Sequence, residues 1–201
     1  MGSRTDPAWR WQQRRNGLYS SPSAQLGYGE LLAYADNLAA VVGGLGAGRA
    51  AWHMRDLILN AGERGGAAEH LDVLRALRAA AGGPSWHGRP HRLGDTWTAT
   101  LYRGGEQPAA PSWTTSQRVA VSYADSDSRG RQRPARAPLW RLTAEPDDVL
   151  AVVPVALAGD PSEFVLDPAG ITADRLVEIP EDEQPEPLPR RGGRTVWTAV
   201  R

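Results

Sequence analysis

Three groups of residues have types and spacing that could act together chemically: Arg103 followed by Gly104 and Gly105, the run Trp113-Thr114-Thr115-Ser116, and Glu163. An arginine presents a planar fork of donors that grips phosphate or ribose oxygens. A glycine beside it lets a flat ligand approach the backbone closely. Glu163 follows Gly159-Asp160-Pro161-Ser162, so it stands where a loop turns into a strand and a side chain can enter a cleft. A fixed carboxylate there could stabilise positive charge that develops on a bound group. Each residue also has a plainer reading. Arg103 can be a solvated arginine before a glycine turn, Glu163 an exposed glutamate on an edge strand, and Thr115 or Ser116 the N-cap of the helix that follows.

The elements that must position these residues are legible from periodicity. Residues 1–20 read as a polar arm and 21–95 as a helical region. Ser21-Pro22 looks like a helix start. Leu31, Ala35, Leu38 and Val42 follow at helical spacing until Gly43-Gly44. Further helices are predicted over 49–62 and 66–80, the last stopped by Gly82-Gly83-Pro84. After Pro84 the character changes. Strands are predicted over 96–102, 139–143, 149–157, 163–168 and 176–180, with a short helix over 116–124 and a loop over 125–138. Residues 181–193 read as a Pro-rich charged linker, and 194–201 as a strand able to pair with an edge. The fold class is therefore α+β: a helical N-terminal region packed on a mainly antiparallel sheet over 96–180.

Composition excludes more than it assigns. The 201 residues carry 23 basic and 23 acidic side chains, so net charge gives no specific nucleic-acid signal. Every basic residue is arginine, a bias that weakens any argument from arginine alone. Without cysteine, disulfides, thiolate metal sites and cysteine nucleophiles are excluded. His87 and His91 have metal-like spacing but lie in a Gly/Pro segment without a carboxylate or cysteine partner, and no metal is expected there. The arginines at 129, 131, 133, 136 and 141 lack the interleaved aromatics of a single-strand binder and read as a solvated loop. No phosphate-loop or GxGxxG signature occurs. With neither a signal-like segment nor a membrane-length apolar run, a cytoplasmic protein with no membrane partner is expected.

The motifs TLYRGG at 99–104, SWTTSQRVAVSYA at 112–124 and SEFVLDP at 162–168, in that order, resemble the R-S-E class of ADP-ribosyltransferases over residues 96–180. The resemblance implies a split antiparallel β-sheet core that binds NAD as substrate, cleaves its nicotinamide–ribose bond and passes ADP-ribose to an unknown macromolecular acceptor. It implies that Arg103 holds NAD and that the Gly104 backbone bonds the nicotinamide amide. Thr115, flanked by Thr114 and Ser116, would orient the catalytic Glu163. Tyr123 is left between two readings, stacking on nicotinamide or packing in the core. The pattern departs from the family at Pro161, where a Glu or Gln usually helps choose the acceptor. Asp160, the nearest carboxylate, is one residue too far back. The interval from Arg103 to Thr115 is also short. NAD glycohydrolysis, with water as acceptor, and a catalytically silent binding module are the alternatives.

Overall fold

The computed structural model describes residues 28–61, 66–126, 132–153, 163–187, 190–191 and 194–195. Four helices fall within them: α1 (Tyr28–Val41), α2 (Ala47–Ala61), α3 (Leu71–Ala81) and α4 (Gln117–Ala124). The start expected at Ser21-Pro22 lies outside the described residues. A 3-10 turn at Gly66–His70 leads into α3, where one continuous helix is predicted. Helix α3 ends as its glycines require: Gly82 takes φ 70° and donates to the Ala79 carbonyl, while the Gly83 amide reaches back to Arg78.

Eight strands form one sheet: β1 (Ser85–Trp86), β2 (Arg89–Pro90), β3 (Ala99–Gly104), β4 (Ser112–Thr114), β5 (Leu139–Ala144), β6 (Val149–Val153), β7 (Glu163–Leu166) and β8 (Val177–Glu178). Their spatial order is β2-β1-β6-β7-β4-β3-β5-β8, and every pairing is antiparallel except β1 with β6. The segment 85–90, which reads as a loop, forms the β1–β2 hairpin and joins the sheet. His87 (φ 52°) and Gly88 (φ 85°) make its two-residue turn with positive φ at both centres. Two further short strands, β9 (Arg190–Arg191) and β10 (Arg194–Thr195), pair with each other in a separate two-stranded sheet among the described residues. After α4, Arg133 donates to the Ser126 carbonyl and Arg136 forks onto Asp125.

The two faces of the sheet bury different things. On one, α1–α3 pack Leu38, Met54, Leu57 and Leu74 against Leu150 and Val153 of β6 and Val165 of β7. At the far end of that same face, α4 sets Ala120 and Val121 against Leu139 and Tyr102. Strands β7 and β4 run between these two helical covers. The opposite face holds Leu101, Trp113, Leu142, Phe164 and Leu166, closed over by Trp97, Ile171 and Leu176 from connecting segments. Two arginine clamps tie the layers. Arg75 of α3 forks onto Asp167 at 2.8 Å through each of two nitrogens, just beyond the end of β7. Arg175 forks onto buried Asp148 at 2.9 and 2.6 Å and also donates to the Gly170 and Thr143 carbonyls.

Helix α4 can approach β3 this closely because residue 104 is glycine. A Cβ there would lie 2.5 Å from the Ala124 nitrogen, 2.9 Å from its Cβ, and inside the Ala120 carbonyl oxygen. Two of these obstacles are backbone and cannot rotate away. Gly104→Ala should therefore destabilise the fold by about 1–3 kcal/mol, the scale of core overpacking. The check is chemical denaturation, where the midpoint should fall with an unchanged slope.

Candidate functional site

Strand register brings the three motifs together. Tyr102 lies opposite Thr114, and Thr114 opposite Glu163, so β3, β4 and β7 are consecutive neighbours. Directly opposed residues share a face, which puts Glu163, Thr114 and Tyr102 on the helix-covered side, whereas Arg103, one residue beyond Tyr102 and opposite Trp140, starts from the other face of β3. Glu163 opens β7, with Val153 of β6 on its other flank. Its strand is anchored by the next residue, Phe164, whose ring points the other way. That ring stacks on Trp97 at 6.2 Å and meets Trp86 edge-on at 6.0 Å. A packed aromatic therefore fixes the height of the carboxylate one residue before it.

The sheet is pinched beside the arginine. Along β3 and β5 six residue pairs are in register, but β3 and β4 share only Tyr102 with Thr114. Beyond that bridge Arg103 reaches across, donating from Nη1 to the Ser112 carbonyl at 2.6 Å and from Nε to the Gln107 carbonyl at 2.9 Å. The Gly105 amide bonds Pro138 on the β5 side. Antiparallel bonding alternates from residue to residue, so the Gly104 amide and carbonyl face the opposite way, toward the stretch where the β3–β4 ladder has stopped.

Three side chains of the site report a shared environment. Burial lowers the Arg103 guanidinium below its usual range, and the negative charge of Glu163 opposes that shift. Burial raises the Glu163 carboxyl above the usual carboxylate range, while the Ser112 hydroxyl and the Arg103 charge pull it back. Burial, followed by the Glu163 charge, raises the Tyr123 phenol. Yet Tyr123 is 53% exposed, and Arg103 and Glu163 keep part of their surface in contact with solvent. Arg103 and Glu163 act on each other's ionisation without forming a direct ion pair.

The hydroxyl run divides. Thr114 is buried, and its Oγ1 accepts from the Ser116 amide at 3.1 Å. Ser116 is the N-cap of α4, its hydroxyl accepting from the Val119 amide. Thr115 is exposed in the turn between β4 and α4. Tyr123, left between core and site by its sequence, stands outside the core. Asp160 and Pro161, which bear on acceptor choice, lie outside the described residues, as do Arg129 and Arg131. Ser112, which the sequence reading passes over, lies opposite Val165 on β4 and so on the face of Glu163. It precedes the hydroxyl run but shares the parity of Thr114, and that alternation is the signal that could have found it.

Among the described residues there is no group of three His, Asp or Glu side chains able to hold a metal, and no helix long and apolar enough to cross a membrane. His87 sits in the β1–β2 turn, and the His91 ring lies 4.9 Å from that of Trp86. Compared with protein-family models, with curated proteins and with solved structures, the chain matches none.

Proposed function

We propose that this protein is an ADP-ribosyltransferase-like enzyme that cleaves the nicotinamide–ribose bond of NAD and transfers ADP-ribose to a macromolecular acceptor. One observation carries the reading. Arg103, Glu163 and Tyr123 come from motifs up to 60 residues apart, yet the Glu163 charge acts on both of the other two. A dinucleotide fits such a set of groups chemically. Arg103 would grip phosphate or ribose oxygens. The outward-facing Gly104 amide and carbonyl would bond the nicotinamide carboxamide, and the exposed Tyr123 ring would stack on its flat face. Thr114 and Ser116, with Thr115 beside them, would hold the β4–α4 turn that shapes the wall.

The chemistry follows from the anion. As the bond between the ribose C1′ and the nicotinamide nitrogen breaks, its electron pair leaves with nicotinamide and neutralises the pyridinium. Positive charge grows on the ribose, and the Glu163 carboxylate stabilises it. The acceptor's lone pair then forms the new bond to C1′ and its proton passes to solvent. Pro161 supports water as a second acceptor, since a proline side chain has no group to orient a protein guanidinium.

Incubation of the full chain with NAD tests the reading. Free nicotinamide with ADP-ribose on macromolecules is the expected result, and free nicotinamide with free ADP-ribose identifies the hydrolase. NAD binding without nicotinamide release would leave a silent module and end the enzymatic proposal.

A further inference from the structure

His70 holds a buried polar atom without a partner. The residue closes the 3-10 turn Gly66–His70 and is the N-cap of α3, where its side chain makes no capping bond. It is 4% exposed, and its Nε2 is the one buried side-chain nitrogen or oxygen among the described residues with no hydrogen-bond partner. The turn packs against α2 and α3. Met54, Leu57, Leu74 and Leu77 of those helices belong to the apolar layer that rests on β6 and β7.

A neutral imidazole can keep its one proton on Nδ1 and present only a lone pair at Nε2, whereas the imidazolium carries N–H on both nitrogens. A proton on Nε2 would then be a buried donor with no acceptor. The positive end of the α3 dipole also lies at this N-terminus and opposes a cation. Glu69 of the same turn and Asp36 of α1, both exposed, favour the charged ring, but burial outweighs them and holds it below its ordinary value. Asp72 in the first turn of α3 is 97% accessible and pairs with Arg75. No charged group of α2 among the described residues acts on the ring.

We propose that His70 makes the helical cover acid-sensitive: when its ring takes a proton, the Gly66–His70 turn opens to carry the ring to water and loosens the start of α3 from α2, while the sheet stays closed. The folded chain binds this proton less readily than the unfolded one, so the opened form is favoured as pH falls. The contribution to closure is whole above the ordinary value of about 6.5 and is lost as pH falls through the lowered one. The Arg75–Asp167 clamp fails only in stronger acid, because its carboxyl is held below the ordinary carboxylate range. Glu163 on β7, whose carboxyl is raised, changes stability with the opposite sign.

The test is amide hydrogen exchange of the full chain between about pH 7 and about pH 5, each rate corrected for the pH dependence of free amides. Peptides over the turn and the first half of α3 should open more as pH falls, by up to about tenfold per pH unit, the response of one linked proton. Peptides from β3 and β5 should not change. His70→Gln keeps a neutral polar group and His70→Leu an apolar one. Neither side chain titrates in this range, so both variants should lose the pH response whatever their basal stability. By NMR, the imidazole signal that His70→Gln removes should titrate below about 6.5. Opening that is constant across the range in the unmodified chain, or that still responds to pH in either variant, would overturn the proposal. A ring that titrates at or above its ordinary value would do the same. If His70→Leu does not fold, His70→Gln and the ring titration decide.

Discussion

Glu163→Gln should lower nicotinamide release by at least about 10²-fold while leaving NAD affinity nearly unchanged. Glutamine keeps the length and planarity of the side chain and removes only its negative charge. The charge matters most when the ribose is cationic, so the loss should appear in kcat. The same substitution should raise thermal stability at neutral pH. Burial raises the folded carboxyl above its ordinary value. A carboxylic acid raised on folding binds more protons in the native than in the unfolded chain, so its contribution to stability falls as pH rises through that window. The penalty is absent below the ordinary glutamate value of about 4.3 and fully present above the raised one. Calorimetry should therefore find the Tm gain of Glu163→Gln at neutral pH and not in acid. Turnover by the unmodified chain should fall as pH drops through the raised value, because the protonated acid carries no charge. Equal rates for the two proteins would remove Glu163 from the mechanism.

Arg175→Ala should be among the most damaging single changes away from the site. It leaves Asp148, whose side chain is only 6% accessible, without its forked partner. The Glu145 amide would be the bond left to that carboxylate among the described residues. It also frees the Gly170 and Thr143 carbonyls. Stranding a buried charge costs about 3–5 kcal/mol, which for a chain of this size lowers Tm by roughly 10 °C. Arg175→Lys should recover only part of the loss, because an ammonium lacks the planar fork. Removing both charges, in Asp148→Asn with Arg175→Met, should be milder than Arg175→Ala alone. A double variant as unstable as the single one would show that the damage comes from the lost carbonyl bonds and not from the stranded carboxylate.

What could be read from sequence was mostly local. Gly82 as a helix stop, Ser116 as a cap, and the apolar runs of β3, β5, β6 and β7 follow from side-chain chemistry within a few residues. The β1–β2 hairpin is not legible in the sequence because its strands are two residues each, and a positive φ at His87 ahead of Gly88 is rare for a non-glycine residue. The parallel pairing of Ser85 with Ala151 spans 66 residues, and no local pattern encodes it. At the site, Arg103 and Glu163 were legible as candidates, but which hydroxyl shares a face with the carboxylate depends on register. A one-residue slip reverses the face of every side chain, so Ser112 and Thr115 could be told apart only once Thr114 was seen opposite Glu163. Tyr123 could not be placed beforehand, because burial of an aromatic residue depends on what lies beyond its helix.

The single bridge between β3 and β4 also sets what it takes for the site to move. Arg103 is held on one side by a six-residue register with β5. On the other it is held by two side-chain bonds across an open seam. Breaking two such bonds in contact with water has a small net penalty, roughly 1 kcal/mol each, and far less than unzipping a ladder. The guanidinium can thus leave the Ser112 and Gln107 carbonyls for a ligand's oxygens while its strand stays where it is. The seam confines adaptation to one side chain and one short connection, so that ligand entry need not draw on the global stability of the fold.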